Sequence, residues 1–261
     1  MCLILFAYRH HPRYRLILAA NRDEFYERPT QALAFWPDHP EIAAGRDLKQ
    51  MGTWLGITRQ GRLAAITNYR GSGAQKVDAP SRGHLVADFL AGQIPALQYL
   101  QQLHHNGHLY NGFNLVIGDT LGLYYYSNRG GPASLVQPGI HGLSNRLLNS
   151  DWPKVRQGKA RLAALLSENG GDIDRQRFME LLQSQSIAPD DQLPDTGVGL
   201  EWERILAPIF IASPTYGTRA SSFVAIDHQD NVHFTEITWH PSGAKPTLLD
   251  EKQIDFRIQR A

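Results

Sequence analysis

Apolar residues fall in short runs punctuated by turn residues over the first 70 positions, recur at helical spacing through the middle, and return to short runs near the end. Residues 2–8 and 14–20 predict two strands around Arg9-His10-His11-Pro12-Arg13, with Pro12 kept out of a central ladder position. A turn about His11 pairs Cys2 with Ala20. Residues 53–58 and 62–69 predict a second hairpin around Arg59-Gln60-Gly61, which sets Thr67 opposite Thr53. Phe113–Gly118 and 121–127 flank Asp119-Thr120 as a third.

Between these runs the period changes. Ser81 is positioned to cap a segment carrying Leu85, Val86, Phe89 and Leu90 on one face, and Ile94, Leu97, Leu100 and Leu103 continue at helical spacing. Asp151-Trp152-Pro153 opens a helix whose stripe is Val155, Leu162, Leu165 and Leu166, ending near Glu168. Residues 174–183 predict a shorter helix through Phe178, Leu181 and Leu182. Residues 186–199, rich in Pro, Asp and Gly, read as an exposed loop. Strand-like runs resume at Ile209 and over 232–239, and the charged, mixed stretch 245–261 reads as peripheral. Strands, then helices, then strands again describe an α+β domain, with residues 1–261 forming a single domain.

Composition removes several function classes. The 261 residues carry 26 Lys and Arg against 25 Asp and Glu, a net charge of +1, so no bulk field draws the chain to nucleic acid. A single cysteine forms no internal disulfide. No apolar run reaches the roughly 18 residues of a membrane span, and the first apolar run has no basic region before it and charges by Arg9. The expectation is a cytoplasmic protein with no integral membrane segment, whose partner is a small-molecule ligand or substrate.

The first hairpin gives that single cysteine a setting. If strand one pairs as predicted, Asn21-Arg22-Asp23-Glu24 emerges beside the N-terminus, within reach of Cys2. A thiol attacks as its thiolate, and an N-terminal cysteine has a base in its own α-amine, with an ordinary pKa of about 7.7–8.0. That chemistry requires removal of Met1, which the small Cys2 side chain permits. The second hairpin projects Asn68-Tyr69-Arg70 at its open end, where an asparagine amide can donate to an oxyanion. The plainer alternative makes Cys2 a small apolar residue in a buried strand.

Asn21-Arg22-Asp23-Glu24 is the signature of the NRDE family, whose eukaryotic members are the transport and Golgi organisation proteins of the second type. Also present in family order are Met1-Cys2, Gly52-Thr53-Trp54-Leu55-Gly56, Thr67-Asn68-Tyr69-Arg70, Gly142-Leu143-Ser144-Asn145 followed by Trp152-Pro153-Lys154, and Tyr216-Gly217-Thr218-Arg219-Ala220-Ser221-Ser222. On these landmarks the chain is identified as a member of that family. The family in turn resembles the N-terminal-nucleophile hydrolases of the penicillin V acylase and bile salt hydrolase branch. The resemblance implies a four-layer αββα sandwich of two mainly antiparallel sheets. It further implies that Cys2 is nucleophile and base, that Asp23 orients its amine, that Asn68 and Asn145 line an oxyanion hole, and that Arg219 supports the nucleophile. Asn21, Arg22, Tyr69 and Arg70, at the hairpin ends, are the candidate substrate contacts. One position departs from the acylase pattern: an arginine three residues before the Asp is here Ala20, and Arg22 is the nearby substitute.

Two functions follow. The first is hydrolysis of a C–N amide bond of a small molecule, with no cofactor required. The second, implied by the family's link to haem trafficking, is a non-enzymatic haem carrier, with His10, His11 or Cys2 as the iron ligand. Asn68 and Asn145 also fit structural turn positions, and Arg219 also fits a simple neutraliser of Asp23. His104, His105 and His108 have no carboxylate nearby and read as a solvated helix end rather than a metal site. Gly71-Ser72-Gly73-Ala74-Gln75-Lys76 lacks phosphate-loop spacing and reads as a lid beside Asn68. Trp36, Trp54, Trp152, Trp202 and Trp239 read as core anchors.

Overall fold

The first apolar runs are continuous rather than alternating because both faces of their sheet are covered. In the computed structural model, which describes residues 2–71, 75–168, 173–240 and 246–259, β1 (Cys2–Tyr8) and β2 (Tyr14–Phe25) lie side by side. Leu3, Leu5 and Ala7 pack to one side of β1, Ile4, Phe6 and Tyr8 to the other, and all are buried. These strands belong to a six-stranded antiparallel sheet in the order β10-β1-β2-β11-β12-β13, completed by β10 (Gly139–Leu143), β11 (Tyr216–Asp227), β12 (Asn231–Trp239) and β13 (Leu248–Arg257). A second antiparallel sheet runs in sequence order through β3 (Thr30–Phe35), β4 (Ile42–Asp47), β5 (Leu55–Thr58), β6 (Leu63–Asn68), β7 (Phe113–Gly118), β8 (Leu123–Ser127) and β9 (Ser134–Leu135).

The two sheets face each other through Ile4, Phe6 and Leu18 on one side and Leu55, Ile57 and Leu63 on the other. Helices close the outer faces. On the second sheet, α1 (Arg82–Ala91) and α2 (Ala96–Asn106) bury Leu85, Val86, Phe89, Leu100 and Leu103. On the first, α3 (Pro153–Ser167) and α4 (Arg175–Leu182) bury Val155, Leu162 and Phe178 against Leu3, Leu5 and Ile17. The result is the expected αββα order of layers. Among the described residues no helix is long and apolar enough to cross a membrane.

Several expectations change. The first hairpin pairs Cys2 with Arg22 and Ile4 with Ala20, a shift of two residues from the predicted register. Because side chains alternate with a period of two, an even shift leaves every residue on its predicted face. Asn21 to Glu24 do not emerge as a loop, since β11 pairs along the far side of β2 as far as Phe25 and holds them in strand conformation. The second hairpin keeps its predicted register, with Leu55 opposite Ala65 and Ile57 opposite Leu63. In the third, β8 begins at Leu123, and the Asp119 N–H donates to the Gly122 carbonyl at 3.1 Å across a longer turn. Ile209 is not in a strand, and a short helix, α5 (Leu200–Leu206), follows the predicted loop. The peripheral tail holds β13 at the sheet edge. Trp202 is exposed, while Trp36, Trp54 and Trp239 are buried. Ser81 stands at the start of α1 but makes no side-chain capping bond.

Candidate functional site

Cys2 is the first described residue of β1, and its pairing with Arg22 puts both side chains on the face that looks toward the second sheet. At this end the sheets part, leaving a cavity of about 240 Å³ whose walls include Cys2, Arg22, Glu24, Trp54, Asn68 and Arg82. Cys2 is half-buried and opens into this space. Burial pushes its thiol pKa up and the Asp23 charge adds to that, while Arg22 and a hydrogen bond from the Asp23 backbone pull it down. Cys2 and Arg22 from one sheet thus share the cavity with Asn68 from the other.

Arg22 sits two residues beyond Ala20 on the same face, so it takes the cavity side of the strand. Its guanidinium lies 4.5 Å from the Trp54 ring centre and 3.8 Å from Glu24 Oε2. Trp54 packs closely against Gly45, where an added Cβ would meet the indole at 2.4 Å. Behind this stack Glu236 is buried between the sheets, its Oε1 accepting from the Leu33 N–H at 2.8 Å. Burial raises its pKa from 4.5 to about 7, partly offset by the Leu33 bond and by Arg22.

An acid whose folded pKa is raised contributes stability below its unfolded pKa and loses it as pH climbs toward the folded value. Glu236 is therefore expected to cost stability progressively between pH 4.5 and 7, by up to roughly 3 kcal/mol at 1.36 kcal/mol per unit. Urea midpoints measured from pH 4.5 to 8 should fall more steeply for the wild type than for Glu236→Gln. Parallel pH profiles would refute the assignment.

Asp23 points the other way, toward the helix layer. Its Oδ1 accepts from Thr218 Oγ1 at 2.7 Å, and Thr218 Oγ1 accepts in turn from the Ile211 N–H at 2.9 Å. Lys154, in the first turn of α3, is buried on this side and donates to the Leu206 carbonyl at 2.9 Å. Burial lowers the Lys154 pKa to about 8, against the opposing charges of Asp23, Cys2 and Glu203. Burial also raises Asp23, and the Lys154 charge and the Thr218 bond hold it back. Neither Lys154 nor Thr218 stood out by sequence, although both lie inside the quoted landmarks.

The opposite wall is the start of α1. Gly52 permits this approach: a Cβ there would stand 2.6 Å from the Gly83 carbonyl carbon, and the Thr53 N–H donates to the Gly83 carbonyl at 3.2 Å. Arg82 donates to the Gly112 carbonyl at 3.0 Å. Nearby, Arg28 is paired with Asp47 through contacts of 2.6 and 3.1 Å.

Of the nine residues singled out by sequence, Cys2, Arg22, Asp23 and Asn68 border the cavity. The others are spoken for elsewhere. Asn21 is buried on the helix side, donating to the carbonyls of Leu182 and Ile209 at 2.8 and 2.9 Å and accepting from Ser221 at 2.6 Å. Asn145 stands behind Asn68, donating to its carbonyl at 2.8 Å. Tyr69 packs under Arg146, and Arg70 turns away to Glu203, 2.9 Å distant, and to the Trp152 ring. Arg219 occupies a bulge in β11 and donates to the carbonyls of Phe25, Tyr26 and Arg28, so Thr218 rather than Arg219 contacts Asp23. Met1 and residues 72–74 of the expected lid lie outside the described residues. His104, His105 and His108 are exposed at the end of α2, and among the described residues no cluster suited to a metal ion occurs.

Residues 1–241 match the model of the family described as Transport and Golgi organisation 2. The Transport and Golgi organization protein 2 homolog of Bos taurus is 38% identical over 279 residues, covering 99% of this chain and 100% of its own. The Homo sapiens homolog is 38% identical, with 90% and 92% covered, and Transport and Golgi organization protein 2 of Drosophila melanogaster is 31% identical, with 91% and 92% covered. Among solved structures, a Caenorhabditis elegans N-acylethanolamine-hydrolyzing acid amidase ortholog aligns with a TM-score of 0.48 at 12% identity, covering 85% of this chain and 92% of that one. Penicillin V acylase from Agrobacterium tumefaciens aligns with a TM-score of 0.48 at 11% identity, covering 94% and 84%.

Proposed function

The chain belongs to the Transport and Golgi organisation 2 family, and on that premise we propose that it is a cysteine hydrolase of the N-terminal-nucleophile type, cleaving the C–N amide bond of a small polar molecule. The observation that carries this proposal is the setting of Cys2. Its sulfur opens into a polar cavity and receives the Asp23 backbone N–H, whereas its strand neighbours Leu3 and Ile4 are sealed in apolar cores. A cysteine kept only for packing has no need of that exposure.

The resting thiol is protonated, because burial outweighs Arg22 and the Asp23 N–H, so the reaction needs a base. Once Cys2 is the first residue, its α-amine takes the thiol proton as sulfur attacks the acyl carbon. The carbonyl π pair moves to oxygen, to which we assign the Asn68 side-chain amide as donor, with Asn145 bonded to the Asn68 backbone carbonyl. Collapse breaks the C–N bond, and the leaving nitrogen takes the proton from the ammonium. Water then attacks the thioester, giving the carboxylic acid and restoring the thiol. Asp23, held by Thr218 and balanced by Lys154, is the anion that steadies the ammonium.

The size of the site limits the substrate. A cavity of about 240 Å³ lies below the roughly 300–1,000 Å³ of drug-sized pockets. Incubating the protein with a panel of short N-acyl amino acids should release free amine, and prior alkylation with iodoacetamide should stop the release. Unchanged release after stoichiometric alkylation of Cys2 would remove the mechanism.

A haem-carrying role fits these residues less well. The Arg13 N–H donates to His11 Nδ1 at 3.2 Å, which puts the ring proton on Nε2 and leaves that nitrogen without a lone pair for iron. His10 is exposed on the same turn, and the Cys2 cavity is walled by charged groups rather than by an apolar slot.

A further inference from the structure

Three arginines, Arg22, Arg28 and Arg82, border the cavity beside the carboxylates of Glu24 and Asp47. Arg28 is already neutralised by Asp47 and lies 3.8 Å from Glu24. Asp23 also borders the cavity, but its carboxylate is engaged on the helix side with Thr218 and is balanced by Lys154. That leaves Glu24, 3.8 Å from Arg22, against two cations. Arg22 is 5% exposed, yet its Nη1 is buried and has no hydrogen-bond partner among the described residues. Among the described residues the Arg82 side chain makes one bond, to the Gly112 carbonyl, and no carboxylate lies within ion-pair distance of it.

The backbone on this wall has the same bias. Ser81, Arg82 and Gly83 border the cavity at the start of the ten-residue α1, which has no side-chain cap and no acidic residue in its first turn. The free N–H groups of a first helical turn, together with the helix dipole, favour negative charge. An uncapped helix start, a cation without a carboxylate and a buried unpartnered guanidinium N–H therefore converge on one space.

We infer that this wall is a carboxylate-binding subsite, in which Arg82 and the first turn of α1 hold an acidic group of the ligand and Arg22 Nη1 supplies a further donor. The inference deepens the hydrolase proposal, on which it rests for the identity of the cavity, by naming the substrate class as an amide that carries a carboxylate. A planar guanidinium matches a carboxylate in a two-bond fork, and Ser81 adds a hydroxyl at the same turn.

The test is calorimetric titration of the Cys2→Ala protein at low ionic strength with N-acetylglycine and, separately, with the uncharged N-acetylglycinamide. The acid should bind at least tenfold tighter, and raised salt should weaken it selectively. Arg82→Gln, which keeps a donor for the Gly112 carbonyl, should remove most of that gap. Ser81→Asp should remove it too while strengthening the start of α1, which separates lost binding from lost folding. Equal binding of acid and amide, or a gap that survives both variants, would overturn the subsite. Inorganic phosphate binding more tightly than N-acetylglycine would overturn the assignment to a carboxylate. The readout needs no turnover, so failure of the wild type to hydrolyse amides bears on the catalytic proposal and not on this one.

Discussion

Replacing Cys2 by alanine is expected to lower kcat/KM for a hydrolysable amide by about 10³-fold or more, since it removes the atom that forms the acyl intermediate. Stability should move by less than about 1 kcal/mol, because the side chain is small and opens to a cavity rather than filling a core. The same protein should still bind substrate, as Arg22, Asn68 and Arg82 remain on the cavity wall. Cys2→Ser should fall between the two, keeping a nucleophile whose proton is harder to remove. The α-amine mechanism adds a second requirement, that active molecules begin at Cys2. Intact mass spectrometry of the active fraction should therefore find Met1 absent. An active fraction that uniformly retains Met1, or a Cys2→Ala protein with undiminished rate, would sink the mechanism.

How much of this was legible in the sequence depends on which interactions were local. The second hairpin could be read in register because its turn closes over Gln60-Gly61, with Gly61 at φ 84°. The first could not, since its longer turn leaves the register open by two residues. Parity survived, so Cys2 and Ala20 were put on the correct face. The length of β2 was hidden because its polar end, Asn21 to Glu24, is held by β11, nearly two hundred residues later. β11 was itself obscured by Ser221 and Ser222, buried hydroxyls that answer Asn21 and Glu236 across the sheet. A strand whose polar letters pair with distant polar letters shows no clean apolar pattern. β13 was missed for a different reason: it is an exposed edge strand, whose charged residues are the usual guard against edge pairing. The roles of Lys154, Thr218 and Arg82 come only from packing, since each is an ordinary residue until a neighbouring element closes over it.

The largest loss of stability should come from Glu203→Ala, at a site that sequence reading assigned to substrate binding through Arg70. Glu203 lies on α5 and its side chain is 3% exposed, with Arg70 at 10%. Its Oε1 accepts from the Thr196 N–H and hydroxyl at 3.0 and 2.5 Å, and its Oε2 stands 2.9 Å from Arg70 Nη2. Burial lowers the Arg70 pKa, and the Glu203 charge is the main opposing influence. Removing the carboxylate strands a buried guanidinium above the Trp152 ring, and breaking such a pair from one side costs about 3–5 kcal/mol. Chemical denaturation should show that loss, with a Tm lower by roughly 10 °C for a chain of this size. The double variant Arg70→Met, Glu203→Met should recover much of it, because the second substitution removes the unpaired charge instead of adding a second insult. A Glu203→Ala loss below about 1 kcal/mol would mean that solvent screens the pair. Additive single and double losses would mean that the two residues act independently. Arg70 follows Asn68 by two residues, and its N–H donates to the Asn145 carbonyl at 2.6 Å. The ion pair thus anchors the strand end that presents Asn68 to the cavity, so the recovered double variant should still hydrolyse substrate more slowly than wild type.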